Sequence, residues 1–175
     1  SMEVKKEHID RSKEEKFSKI INNSLQRLRK TIGSILDLSV LESGRLMFRK
    51  EPIQMDELVL QITTSMRLLA EKKGLAFINH VKQGLPVVIG DKDEIQRVVT
   101  NLIDNAIKYT EKGEIHLFLE QRDAFIEFAV KDTGVGIGLP KDQFGKLFER
   151  FFQERPMVDG AGVGLAICKN IIDVH

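Results

Sequence analysis

The stretch NLIDNAIKYT, residues 101–110, decides how this chain is read. Leu102, Ile103, Ala106 and Ile107 recur at helical spacing, yet Asn101 and Asn105 stand four apart among them. Asparagine is a mediocre helix former, and a carboxamide on an apolar surface costs free energy until something hydrogen-bonds it. At about 100° per residue, Asn101, Asn105 and Lys108 fall within about 60° of one another on the helix surface. One narrow stripe therefore carries two neutral oxygen donors and a cation. Neutral oxygens suit a hard cation such as Mg²⁺ brought in by phosphates, and the lysine suits those phosphates. On these ten residues alone, backbone capping by the asparagines and a solvated Lys108 explain the pattern at least as well.

Working outward, Asp91 is a fair N-cap for a helix running to about Thr110. VKDTGVGIGLP, residues 130–140, runs a β-branched strand into Asp132 and then into Gly134, Gly136 and Gly138. A carboxylate at a strand end can accept from an exocyclic amine such as that of adenine, and the glycines let backbone approach a flat ligand. A plain glycine-rich turn fits the same residues. In GAGVGLAI, residues 160–167, Gly160, Gly162 and Gly164 precede a helix. Bare N–H groups at a helix N-terminus suit phosphate. The pattern is neither a P-loop, since no Gly-Lys-Ser/Thr follows, nor the opening of a Rossmann unit. FGKLFERFF places Phe144, Phe148, Phe151 and Phe152 on a short helix near 142–151, where packing and anchorage of the next loop are the expected roles. Residues 152–160, FQERPMVDG, read as a mobile lid.

The remaining elements frame these motifs. Residues 1–16 are polar and without apolar period. From Phe17, the residues Ile21, Leu25, Leu28, Ile32 and Ile35 form a stripe that predicts a helix reaching about Glu42 and stopping at Ser43-Gly44. Its length, about 38 Å, is too great for the interior of so small a domain and predicts a projecting, oligomer-forming helix. A short strand is expected over 46–50, closed by Pro52. A helix follows over 55–73, with Gly74 as its stop, and further strands over 75–81, 87–89, 114–121 and 125–132. The two long strands turn at Arg122-Asp123, and a last helix starts near Gly164. This order predicts an α+β fold, a helical layer on a mostly antiparallel sheet.

At 175 residues the chain holds one full core. A net charge of +1 gives no reason to expect nucleic acid or an anionic membrane as partner. Cys168 is the sole cysteine, so no disulfide framework exists. No apolar run approaches the roughly 18 residues a membrane helix needs. The opening Ser1-Met2 reads as a cloning remnant.

An Asn-x-x-x-Asn helix, Asp-x-Gly-x-Gly, a Phe-rich helix and Gly-x-Gly-x-Gly, in that order, resemble the N, G1, F and G2 boxes of sensor histidine kinases. Residues 46–175 look like the catalytic ATP-binding domain, a two-layer α/β sandwich of the Bergerat type shared with type II topoisomerase and Hsp90 ATPases. Residues 17–44 are similar to the second helix of the dimerisation and phosphotransfer hairpin. The resemblance implies transfer of the γ-phosphoryl of Mg-ATP to a histidine, then to a response-regulator receiver domain. Asn105 would hold Mg²⁺, with Asn101 assisting, and Lys108 and Tyr109 would contact phosphate or ribose. These carry the catalytic assignment to Asn101, Asn105 and Lys108. Asp132 would receive the adenine amine above Gly134 and Gly136, with Ile137 and Leu165 beside the nucleotide. Gly160, Gly162 and Gly164 would bring backbone to the phosphates. A homodimer through residues 17–42 is implied, as is a cytoplasmic place for these residues, with or without an inner-membrane anchor in a longer parent chain.

Departures from the family pattern shape the expectation. ATPase relatives carry glutamate where Asn101 stands, and a carboxamide cannot take a proton from water at neutral pH. That favours phosphoryl transfer over hydrolysis. The His-Glu-[Leu/Ile]-Arg-x-Pro phosphoacceptor motif is absent, and His8, His80, His116 and His175 lack its context. The first hairpin helix is thus expected to be missing, and the chain unable to autophosphorylate. The family also usually continues beyond Asp-Val-His into another strand. A related ATPase or serine kinase, or a non-catalytic nucleotide-sensing dimerisation module, are the rival readings.

Overall fold

The computed structural model describes residues 17, 18, 21, 22, 24, 25, 28, 32 and 33, then 48–153 and 162–175. The first group is helical, and its apolar members Phe17, Ile21, Leu25, Leu28 and Ile32 are 49–65% exposed, so nothing among the described residues buries that stripe. Ile35 and the rest of the expected 17–44 helix lie outside the described residues.

Helix α1 (Met55–Lys72) buries Leu58, Val59, Ile62, Met66 and Ala70 at helical spacing. It stops at Gly74, whose φ of +79° is easy for glycine; the Leu75 N–H returns to the Ala70 carbonyl at 3.0 Å. Helix α2 (Lys92–Tyr109) turns Val99, Ile103 and Ala106 to the same core. Strands β2 (Ala76–Val81), β4 (Glu114–Arg122) and β5 (Phe125–Asp132) form one sheet in the order β2-β4-β5. Ile115, Leu117 and Leu119, alternate residues of the central strand, are wholly buried against the two helices. Each contributes about 1.5–3 kcal/mol by leaving water. The other face of the sheet carries His80 and His116, whose coplanar rings meet at 3.0 Å between Nε2 and Nδ1 and lie over Phe118. One covered face and one open face make the α+β two-layer sandwich.

Four sequence expectations are corrected. The first strand, β1, is Glu51–Ile53 rather than 46–50, and it runs through Pro52. Proline is tolerated because β1 pairs only with β3 (Val88–Gly90), in a two-stranded ribbon with a free side. The main sheet is mixed: β2 and β4 are parallel, because α2 crosses over between them, and only β4 and β5 are antiparallel. The Phe-rich segment is a short helix as expected, of the 3-10 type, but it spans Lys141–Phe148 and ends before 151. Phe151 itself takes a φ of +62°. The hairpin turn sits at Asp123-Ala124, one residue later than expected, with Asp123 at φ +52°. Among the described residues no helix is long and apolar enough to cross a membrane.

Candidate functional site

Helix α2 is the platform, and it is pinned at both ends. At its start the Asp91 carboxylate accepts from the N–H groups of Asp93 (3.1 Å), Glu94 (3.2 Å) and, across the fold, Arg49 (2.8 Å). Burial raises this carboxyl, but the N–H groups of Arg49, Glu94 and Asp93 and the nearby His175 outweigh it and hold the group below its ordinary value. The Asp91 N–H lies 2.9 Å from His175 Nε2, and His175 Nδ1 lies 2.7 Å from the Ile171 carbonyl, so the ring bridges the start of α2 to the last turn of the chain's final helix. At the far end Lys73 Nζ reaches the carbonyls of Ile107 (2.6 Å) and Lys108 (3.1 Å). A cation there satisfies C-terminal carbonyls and the helix dipole together.

Between these pins, the flank of α2 beside the core faces α3 (Gly164–Val174). Val98 and Leu102 pack with Val163, Ile167, Cys168 and Ile171. Asn101, Asn105, Lys108 and Tyr109 are all half-buried. The Nδ2 of Asn101 donates to Cys168 Sγ at 3.1 Å, and its carboxamide lies against Gly164. Lys108 Nζ stands 5.0 Å from the centre of the Tyr109 ring. Burial pushes the Cys168 thiol up, against smaller opposing effects of the Asn101 amide and the Arg97 charge.

The second motif is joined to the C-terminal end of α2. Asp132 closes β5, and its Oδ1 accepts from the Gly134 N–H at 2.8 Å and the Thr110 hydroxyl at 3.5 Å. Thr110 is wholly buried. The Val135 N–H then donates to the Tyr109 carbonyl at 3.2 Å. A Cβ on Gly134 would fall 2.4 Å from that same carbonyl oxygen, so close approach is what requires glycine here. Gly136 is different: its φ is +68° and its surroundings are open. Val135 and Ile137 leave 49% and 51% of their surface exposed, an apolar shelf on the loop.

The third motif forms the other bank. Gly162, at φ +68°, sits so tightly against the main chain of Phe151 and Phe152 that a Cβ would come within 2.8 Å of both. The phenylalanine segment therefore packs against Gly162 through its backbone, and the lid expected over 152–160 lies, from 154 on, outside the described residues. Of its rings, Phe144 and Phe152 are half-buried, while Phe148 and Phe151 are exposed. Leu165 is half-buried at the start of α3, and Gly160 lies outside the described residues. A cavity of about 570 Å³ borders Asn101, Asp104, Gly164 and Cys168, but not Asp132 or Gly136, so it covers only the α2–α3 flank of the motif cluster.

Sequence reasoning missed Lys73, Thr110 and Cys168. The first two carry a weak signal, a lysine just before a helix-ending glycine and a hydroxyl at a helix end. Cys168 carries none, since its partner is 67 residues away. Among the described residues no group of three or more histidine, cysteine or acidic side chains is arranged to hold a metal. Neutral amide oxygens such as those of Asn101 and Asn105 have the chemistry that suits a hard cation arriving on phosphates.

Comparison with known proteins identifies the family. Residues 90–175 match the family described as histidine kinase-, DNA gyrase B- and HSP90-like ATPase. Hybrid signal transduction histidine kinase L of Dictyostelium discoideum is 34% identical over 164 residues, covering 89% of this chain. The chain spans only 10% of that relative's length. The full-length structure of ShkA in complex with AMPPNP superposes with a TM-score of 0.77 and 27% identity, covering 90% of this chain and 33% of that one. The mycobacterial sensor histidine kinase MprB gives a TM-score of 0.59 at 33% identity, over 72% of this chain and 80% of the other. The chain thus belongs to the sensor histidine kinases of the gyrase B- and HSP90-like ATPase family, and it carries their ATP-binding domain.

Proposed function

We propose that this domain binds Mg-ATP between the α2 stripe, the Asp132 loop and the start of α3, and presents the γ-phosphoryl to a histidine of the parent protein. The observation that carries the reading is the joint between the two motifs: Tyr109 and Thr110 bind the loop of Gly134 and Val135 and the carboxylate of Asp132. Asp132 Oδ1 is occupied by that joint, which leaves Oδ2 to accept the adenine amine. Gly134 and Gly136 let backbone lie under the base, and Ile137 and Leu165 flank it. Lys108 and Tyr109 face ribose or phosphate, and the N–H groups around Gly160, Gly162 and Gly164 receive the phosphates. Asn105, assisted by Asn101, offers neutral oxygens to Mg²⁺, which when bound neutralises phosphate charge.

In the transfer, the unprotonated nitrogen of a neutral imidazole forms a bond to the γ-phosphorus as the bond from phosphorus to the ADP oxygen breaks, and the proton on the ring's other nitrogen is released. Asn101 holds no base for water, so the pocket positions and shields without promoting hydrolysis. The phosphoryl then passes to a response-regulator aspartate. The exposed stripe of Phe17, Ile21, Leu25, Leu28 and Ile32 suits the second helix of a dimerisation hairpin, making the parent a homodimer through residues 17–42. A cytoplasmic location for these residues follows from that reading.

Titration calorimetry with a non-hydrolysable ATP analogue tests the nucleotide site. Binding that strengthens with Mg²⁺ and is lost in Asp132→Asn is the expected result; no binding by the unaltered chain overturns the proposal. Labelled ATP tests the chemistry. No acid-labile label is expected on this chain, and steady release of ADP would favour the ATPase reading instead.

A further inference from the structure

The role usually inferred for a glycine at a phosphate-binding helix start is to bare the backbone. Gly164 has another reason to be glycine. It stands inside the first turn of α3 with helical geometry, so its conformation is open to any residue. Space is what a side chain would contest with Asn101: a Cβ there would fall 2.7 Å from Asn101 Nδ2 and 2.8 Å from Asn101 Oδ1, so the carboxamide could not keep this place. One turn further along α3, Cys168 Sγ accepts the Asn101 Nδ2–H at 3.1 Å. Residues four apart share one helix face, so Gly164 and Cys168 act on a single carboxamide from a single surface.

The arrangement discriminates between the two ends of that carboxamide. A cation can use only the oxygen. The nitrogen is the end directed to sulfur, which leaves Oδ1 on the other side of the carboxamide. We infer that Gly164 and Cys168 form a seat on α3 that fixes the Asn101 carboxamide with Oδ1 left for the metal–phosphate group, making Cys168 a positioning residue for the nucleotide site. This rests on the nucleotide reading of α2 given above.

The chain's single cysteine makes the seat measurable without nucleotide. Alkylation of the full chain by iodoacetamide, followed by mass, reports on Cys168 alone. Asn101→Ala is expected to raise the limiting rate reached at alkaline pH by about threefold or more, where the thiol is already ionised and the lost cover alone decides. Equal limiting rates in the two chains overturn the seat. The positioning role is read separately, by affinity for an ATP analogue in Mg²⁺ and in EDTA. Cys168→Val keeps the volume and removes the acceptor. It should lose about three- to tenfold in the Mg²⁺ measurement with the EDTA value unchanged, and Cys168→Ser should restore it. Equal loss in both conditions, or none, would reduce Cys168 to packing and overturn the positioning role. If Cys168→Val does not fold, protection of Cys168 in the unaltered chain is compared with Mg-nucleotide and with nucleotide alone; no difference overturns the role. Failure of the unaltered chain to bind nucleotide sinks the nucleotide reading and with it the positioning role, while the alkylation comparison still decides whether the seat exists.

Discussion

The carbonyl of Tyr109 accepts the Val135 N–H at 3.2 Å, and this one bond ties the end of the asparagine helix to the glycine loop after β5. Two motifs separated in sequence are thereby held as one surface, with Asp132 at its edge.

Gly134 and Gly136 should therefore respond differently to alanine. Gly134→Ala must push against Tyr109 O, Thr110 Oγ1 and Asp132 Oδ1, all within 2.9 Å of the new Cβ. A loss of about 1–3 kcal/mol in urea unfolding is expected, together with about tenfold or greater loss of nucleotide affinity. Gly136→Ala meets open space and should cost only the left-handed backbone term, about 1–2 kcal/mol.

Asp91 should make stability depend on acid. Its carboxyl is held below the ordinary 3.8, so its contribution is present above that value and is lost as pH falls beneath it. Asp91→Ala should destabilise by about 0.5–2 kcal/mol at neutral pH. The difference from the unaltered chain should shrink when melts are repeated toward pH 3. Asp91→Asn should keep much of the cap and flatten that dependence.

Lys73 should matter more than its exposure suggests. Removing its ammonium in Lys73→Met leaves the Ile107 and Lys108 carbonyls without that donor. About 0.3–1 kcal/mol of stability should go, falling with added salt in the unaltered chain but not in the variant. Chemical unfolding at two ionic strengths measures both.

The Cys168 thiol should stay inert at neutral pH. Burial raises it above the ordinary 9.0, so at any pH below that value it holds less thiolate than a free cysteine. Its alkylation rate should climb only at alkaline pH, where the folded state also loses stability relative to an unfolded chain whose thiol ionises earlier. A rate–pH profile matching that of free cysteine would contradict this.

What the sequence made legible was local. Asp91 and Gly74 mark helix ends within a few residues of the groups they serve, and the alternation of Ile115, Leu117 and Leu119 fixes a strand and its buried face. What stayed hidden was decided by distant partners. The parallel pairing of β2 with β4 depends on where α2 crosses, and β1 accepts Pro52 because only β3 lies beside it. The seat of Asn101 and the Lys73 cap join residues 67 and 34 or more apart, which no periodicity records.

The contact of Gly162 with Phe151 and Phe152 also sets the thermodynamics of the segment between them. Gln153 and Gly162 enclose eight residues, 154–161, whose two anchor points are already neighbours. Closing a loop between fixed ends costs entropy that grows only logarithmically with length, about 0.6 kcal/mol for each doubling. Residues can be added to or removed from that stretch with little effect on the sandwich. The number of residues joining Gln153 to Gly162 is thus a variable that evolution or design can set almost independently of fold stability.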